Sequence, residues 1–369
     1  MKQQQHKKII ISGGGTGGHV FPAIAIANAL KKKDPATEIL FVGAKGKMEM
    51  EKVPAAGYEI VGLPVIGFRR KLSVQNITFF FYLMSSLVKA KKIIRKFTPD
   101  VVVGVGGFAS GPVLHIASRR GIPCLIQEQN SYPGVTNKLL AKRAHKICVA
   151  YDDMEKYFQK EKIIKTGNPV RQDLLDIAEK KSEAYNYFGL QGNKKTLLVI
   201  GGSLGARTIN ESVITRIQNI TDEKIQLVWQ TGKIYYGKAK EEAAKYDPQL
   251  VKVYDFISRM DYAFAIADVV ISRAGASTIS ELCIVHKPAI LVPSPNVAED
   301  HQTKNAMALV KNDAAMMITD MEARKSLIDN ALELIDDEYR QKVYSEKIAK
   351  MAVKDSADII AEEIMKMSE

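Results

Sequence analysis

Three glycine-rich segments are where this sequence first offers chemistry. They are Gly13-Gly14-Gly15-Thr16-Gly17-Gly18, Gly104-Val105-Gly106-Gly107-Phe108-Ala109-Ser110-Gly111-Pro112, and Gly201-Gly202-Ser203-Leu204-Gly205. A glycine turn between a strand and a helix lets the backbone approach a phosphate, and it aims N–H groups and the positive end of the helix dipole at that phosphate. One such turn is weak evidence, because a tight packed turn needs the same residues. Three at corresponding strand ends point to two phosphorylated ligands. Two common phosphate chemistries are excluded. A nicotinamide site wants an acidic residue at the end of the second strand, and here those strands end Phe41-Val42-Gly43 and Trp229-Gln230-Thr231. A Walker-type loop wants Gly-Lys-Ser or Gly-Lys-Thr, and neither follows any of the glycine runs.

The elements that must position these loops repeat along the chain. Short runs rich in Ile and Val, at 8–12, 38–42, 101–105, 123–127, 146–150 and 162–166, alternate with longer amphipathic stretches. After Gly167-Asn168-Pro169 the pattern restarts at 196–200, 226–230, 251–255, 269–272 and 289–293. Strands separated by helix-length segments predict parallel sheets with helices on both faces. The 369 residues suit two domains, divided as 1–168 and 169–344, with ligands expected in a deep cleft facing the strand ends of both. The stretch 344–367 reads as one amphipathic helix that crosses back to the first domain. Cys124, Cys148 and Cys283 are isolated, so neither a disulfide framework nor a zinc site is expected.

Charge separates the halves. The net charge of +12 resolves into 27 basic against 11 acidic residues in the first 168 positions, and 26 against 30 in the rest. Such a field attracts nucleic acid, anionic lipid or phosphorylated ligands, and charge alone does not choose among them. No zinc, RNA-recognition or helix-turn-helix signature accompanies it, so a nucleic-acid partner is not expected. The uncharged stretch 72–88 is 17 residues with six polar ones among them, short of a span. Within it lies an aromatic cluster containing Phe79, Phe80 and Tyr82, preceded by Arg69, Arg70 and Lys71 and followed by Lys89, Lys91, Lys92, Arg95 and Lys96. Apolar residues beside a cationic fringe predict an interfacial surface on an anionic membrane, although a helix of a doubly wound domain must also bury an apolar face.

The ordered motifs are more specific than any of these features. Gly14-Gly15-Thr16-Gly17-Gly18-His19, Gly106-Gly107-Phe108-Ala109-Ser110-Gly111-Pro112, Glu128-Gln129-Asn130, Gly167-Asn168-Pro169-Val170-Arg171, Gly201-Gly202-Ser203-Leu204-Gly205-Ala206, Ser272-Arg273-Ala274-Gly275-Ala276-Ser277-Thr278 and His301-Gln302 follow one another along the chain. They resemble the MurG glycosyltransferases, which attach N-acetylglucosamine to the lipid-linked muramoyl-pentapeptide precursor of peptidoglycan. The resemblance implies the GT-B architecture, two Rossmann-like domains of which the second binds UDP-N-acetylglucosamine and the first receives the undecaprenyl-diphosphate-linked acceptor. It implies no metal or other cofactor. It also implies peripheral attachment at the cytoplasmic face of the bacterial inner membrane, with other cell-wall synthesis proteins as expected partners.

Carried over by motif position, the donor contacts are Thr16, Gly17, Gly18, Asn130, Arg171, Ser203, Ile257, Ala276, Ser277, Thr278, Ile279, Ser280, Glu281 and Gln302. The amides around Ser203, at a helix start, and the Arg171 fork suit a diphosphate. Glu281, acceptor-only when ionised, suits ribose hydroxyls, although Thr278-Ile279-Ser280-Glu281 equally fits a capping box. Backbone groups at Ile257 suit the uracil edge, and Gln302 a sugar hydroxyl. The implied inversion needs a base for the attacking hydroxyl. His19, after a glycine loop at a helix N-terminus where the dipole disfavours the imidazolium, is the candidate; the alternative is that it only orders the loop or binds diphosphate. The acceptor diphosphate is expected on Gly15, Gly106, Gly107, Ser110 and Gly111. A competing reaction on this fold is epimerisation of UDP-N-acetylglucosamine, which needs no acceptor.

Overall fold

The computed structural model describes residues 6–66, 75–202, 204–297 and 300–368, the side chains of 75–77 excepted. The chain forms two compact units, one of residues 1–170 with 355–369, the other of residues 171–354. Asn168 belongs to the first: its Oδ1 accepts from Gln127 Nε2 at 2.9 Å and its Nδ2 donates to the Gln129 carbonyl at 3.0 Å.

The first unit is a seven-stranded parallel sheet. Its strands are β1 (Lys8–Ser12), β2 (Glu38–Ala44), β3 (Glu59–Leu63), β4 (Val101–Gly104), β5 (Cys124–Glu128), β6 (Lys146–Val149) and β7 (Ile163–Lys165), in the order β3-β2-β1-β4-β5-β6-β7. Between them run α1 (Gly17–Lys33), α2 (Glu49–Ala55), α3 (Gln75–Phe97), α4 (Ser110–Arg119) and α5 (Val135–Ala141). A parallel sheet covered on both faces needs apolar residues in succession, and β1 and β4 supply them. Ile9, Ile11, Val101 and Val103 face the core under α1, while Ile10 and Val102 face the opposite core, with Ile94 of α3 and Leu114 of α4.

In the second unit α6 (Lys181–Phe188) precedes β8 (Thr196–Ile200), α7 (Arg207–Asp222), β9 (Gln226–Gln230), α8 (Tyr236–Ala243), β10 (Val251–Tyr254), α9 (Met260–Ile266), β11 (Val269–Ser272), α10 (Ala276–Val285), β12 (Ala289–Leu291), α11 (His301–Val310), β13 (Met316–Met317), α12 (Asp320–Asp336) and α13 (Glu338–Ala349). Its sheet is parallel in the order β10-β9-β8-β11-β12-β13. Trp229, fully buried, donates from Nε1 to Asn210 Oδ1 at 2.9 Å and fixes α7 over the sheet.

The single C-terminal helix expected over 344–367 is two. Tyr344 and Ile348 of α13 are buried in the second unit's core, and Ser345 donates to the His286 carbonyl at 2.7 Å. A second helix, α14 (Ser356–Met367), buries Ile360, Ala361 and Ile364 against α1, and Lys33 pairs with Glu362 at 2.8 Å. The two apolar faces serve different cores, so the chain breaks between them. Two strands went unanticipated, the edge strands β3 and β13. Among the described residues no helix is long and apolar enough to cross a membrane.

Candidate active site

In a doubly wound sheet, ligands bind where neighbouring strands send their connections to opposite faces. In the first unit that point lies between β1 and β4, and the first two glycine segments follow these strands. The loops touch: Gly14 N–H donates to the Gly106 carbonyl at 3.3 Å. A Cβ on Gly107, whose φ is +84°, would lie 2.3 Å from the Gly14 oxygen, so only glycine fits there.

His19 stands in the first turn of α1. Its Nδ1 is 3.1 Å from the Gly14 carbonyl oxygen and 3.4 Å from Thr16 Oγ1. A carbonyl only accepts, so Nδ1 carries the proton and Nε2 is the accepting nitrogen of the neutral ring. The ring lies over Gly106, where a Cβ would come within 2.8 Å of Nε2. Thr16, exposed, precedes α1, and Gly17 and Gly18 open it; as first-turn residues their N–H groups have no intrahelical acceptor.

Gly15 departs from its expected role. Its N–H donates to Glu49 Oε2 at 2.9 Å, so a carboxylate of the chain itself holds the amide that was expected to meet the acceptor diphosphate. Ser110 departs too: fully buried, it donates to the Gly107 carbonyl at 2.9 Å and closes its own loop. Gly111, by contrast, meets little, with a Cβ there finding only Thr136 at 3.6 Å. Asn130 is held by Glu128, whose Oε1 accepts from its backbone N–H at 3.0 Å and from Nδ2 at 3.2 Å. The Glu128 oxygens also accept from Gly134 N–H and from Asn137 Nδ2 at 2.8 Å. Burial raises the Glu128 carboxyl, and these four hydrogen bonds oppose the rise without cancelling it.

In the second unit the corresponding point lies between β8 and β11. The loop after β8 leads to a helix that begins at Arg207, four residues beyond Ser203, which lies outside the described residues. After β11 comes α10, capped by Gly275. This placement removes the capping-box reading of Thr278 and Glu281, because Glu281 is the sixth residue of the helix. Its Oε1 instead lies 3.8 Å from Arg171 Nε, both side chains largely buried. Burial raises the Glu281 carboxyl, and the Arg171 guanidinium opposes the rise.

Not every residue of the carried-over segment is available to a ligand. Ile279 is buried and gives its N–H to the Gly275 carbonyl at 2.9 Å, and Ser280 donates to the Ala276 carbonyl at 3.0 Å. Ala276, Ser277 and Thr278 contribute the first-turn amides of α10. Ile257 N–H is taken by Gln230 Oε1 at 2.9 Å. Gln302 Oε1 accepts from Ser294 N–H at 2.9 Å, which turns its NH2 end toward other partners. Sequence reasoning missed Glu49 and Gln230, each a buried side chain holding a distant backbone group. Among the described residues no cluster of three or more His, Cys, Asp or Glu is arranged to hold a metal ion.

The segment carrying Arg69, Arg70 and Lys71 lies outside the described residues. The helix that follows, α3, exposes Phe80, Phe81, Tyr82 and Met84, and Phe79 meets Phe80 edge to face with ring centroids 6.2 Å apart. Phe79, Tyr82, Leu83, Phe108, Pro112 and Leu139 line an apolar groove of about 370 Å³ between α3, α4 and α5.

Two parallel Rossmann-like units, with glycine-rich loops at their switch points, are the architecture of the GT-B glycosyltransferases. Residues 9–149 match the glycosyltransferase family 28 N-terminal domain and residues 196–360 the family's C-terminal domain. The chain belongs to glycosyltransferase family 28, and within it to the MurG enzymes that its motifs resemble. It is 58% identical, over 98% of both chains, to a Parabacteroides distasonis protein named UDP-N-acetylglucosamine--N-acetylmuramyl-(pentapeptide) pyrophosphoryl-undecaprenol N-acetylglucosamine transferase. It is 55% identical to the Bacteroides thetaiotaomicron protein of the same name, over 99% of both. The crystal structure of Acinetobacter baumannii MurG superimposes with a TM-score of 0.74 at 26% identity, over 98% of this chain and 99% of that one. A UDP-GlcNAc 2-epimerase from Neisseria meningitidis shares the fold, with a TM-score of 0.69 at 15% identity over 98% of this chain and 100% of that one.

Proposed function

We propose that this enzyme catalyses an inverting displacement at the anomeric carbon of UDP-N-acetylglucosamine. The chain transfers N-acetylglucosamine to the muramoyl unit of undecaprenyl-diphosphate-linked muramoyl-pentapeptide, converting lipid I to lipid II; the attacking group is the C4 hydroxyl. The observation that carries the reading is 58% identity over 98% of both chains with a relative named for this transfer.

The residues divide the work by chemistry. His19 accepts the hydroxyl proton at Nε2, as a general base requires. Departing UDP is stabilised by the Arg171 guanidinium and the first-turn amides of α10, a cation and a dipole aimed at developing charge. Glu281 accepts from ribose hydroxyls, the Ile257 carbonyl accepts from the uracil N–H, and the Gln302 NH2 donates to a sugar hydroxyl. The backbone around Gly106, Gly107 and Gly111 receives the acceptor diphosphate.

The apolar face of α3 and the lysines along the same helix support a further reading, peripheral attachment to an anionic membrane surface at the cytoplasmic face. The test of the reaction is UDP release from UDP-N-acetylglucosamine by the purified protein, with and without a lipid-linked muramoyl-peptide diphosphate. Release coupled to transfer only when acceptor is present is expected. Conversion of the sugar without acceptor would replace the transferase reading by an epimerase.

A further inference from the structure

Glu49 is the first residue of α2, only 1% exposed, and among the described residues no Lys or Arg pairs with it. A buried carboxylate must be hydrogen-bonded. Its Oε1 accepts from Ala44 N–H at 2.8 Å and its Oε2 from Gly15 N–H at 2.9 Å. The backbone has been cleared to make room for it. A Cβ on Gly14 would lie 2.1 Å from Oε1, and one on Gly43 would lie 2.6 Å from the Glu49 Cγ.

Gly15 N–H and the Gly14 carbonyl are the two ends of one trans peptide group. The carboxylate grips the N–H end, and His19 Nδ1 donates to the oxygen end at 3.1 Å. The three groups therefore form one directed chain, carboxylate to peptide to imidazole. A hydrogen bond to an anion at the N–H end places more electron density on the carbonyl oxygen, which accepts more strongly from the ring. We propose that Glu49 is a positioning residue for His19, acting through the Gly14–Gly15 peptide to hold the proton on Nδ1 and keep Nε2 as the accepting nitrogen. The arrangement does the work of the orienting carboxylate in a catalytic triad, with one peptide group interposed. The inference rests on the reading of His19 as base.

The test begins with the unaltered full-length protein. Long-range proton–nitrogen correlations of the 15N-labelled His19 ring should show the neutral form protonated on Nδ1, and a majority protonated on Nε2 overturns the proposal without any variant. In Glu49→Gln, the side chain offers one carbonyl oxygen to two N–H groups, so the grip on the loop is incomplete. Expected are a mixed His19 tautomer and a kcat lowered roughly 10- to 100-fold, part of the 10²–10⁴ that a general base contributes, with KM for UDP-N-acetylglucosamine unchanged. Glu49→Asp keeps the charge and should restore part of kcat. A folded Glu49→Gln protein with the native tautomer and native kcat sinks the relay. His19→Ala separates the two ideas: if it turns over near-normally while the unaltered protein's spectra show the ring protonated on Nδ1, the base reading fails and the relay stands.

Discussion

Glu281 and Arg171 sit 3.8 Å apart, and the carboxyl is pushed up by burial and pulled down by the guanidinium, with burial the larger effect. A carboxyl whose folded pKa lies above its unfolded value, about 4.3, contributes stability below that value and loses it as pH rises through the folded one. Between about pH 4 and about pH 7 the native protein should therefore lose stability relative to Glu281→Gln. Denaturant midpoints of both proteins at the two pH values read this directly, and a gap that stays constant or opens the other way removes burial as the dominant influence. The same substitution should raise KM for UDP-N-acetylglucosamine roughly 10- to 100-fold, the worth of a hydrogen bond to a charged group. Arg171 gains from the pairing as well, since a guanidinium held against a carboxylate keeps its fork in one place before the donor arrives.

The surface of α3 makes a prediction at the scale of the element. Phe80 is 65% exposed, Phe81 73% and Met84 59%, so changing all three to Ser removes little from the core. Thermal stability should stay near native, while binding to vesicles rich in anionic lipid falls at least about 10-fold, given about 1.5–3 kcal/mol for each large apolar side chain withdrawn from water. Co-sedimentation measures it, and undiminished binding moves the membrane surface elsewhere. How much was legible in the sequence also varies by element. The bounds of β1, β8, β9 and β11 are those read from unbroken apolar runs, because a strand buried on both faces leaves no other pattern. The edge strand β3, with Glu59 exposed and Gly62 near its end, leaves almost none. The glycine loops were visible because backbone at φ of +84° to +93°, as at Gly106 and Gly107, strongly favours glycine. Glu49 and Gln230 were not, since each chooses a backbone partner 34 or 27 residues away and only the fold makes that introduction.

For the whole molecule the telling element is α14, which closes the first unit with residues from the far end of the chain. Ile360, Ala361 and Ile364 are fully buried against the α1 side of the sheet, and Lys146 pairs with Glu363. Ending the chain after residue 354 should uncover that face and cost several kcal/mol, at about 1.5–3 kcal/mol for a buried Ile. Calorimetry of the shortened protein should show the first unit melting early and the second, residues 171–354, near its native temperature. Simultaneous loss of both transitions would mean that the second unit does not fold alone.

That closure also sets an order of events during synthesis. A ribosome delivers residues 1–170 before residues 171–354, yet the layer that covers α1 follows only after both. The unit that is first to be made is thus the last to be finished, and its basic, aromatic surface waits on an incomplete scaffold while an entire second unit is translated and folds in between.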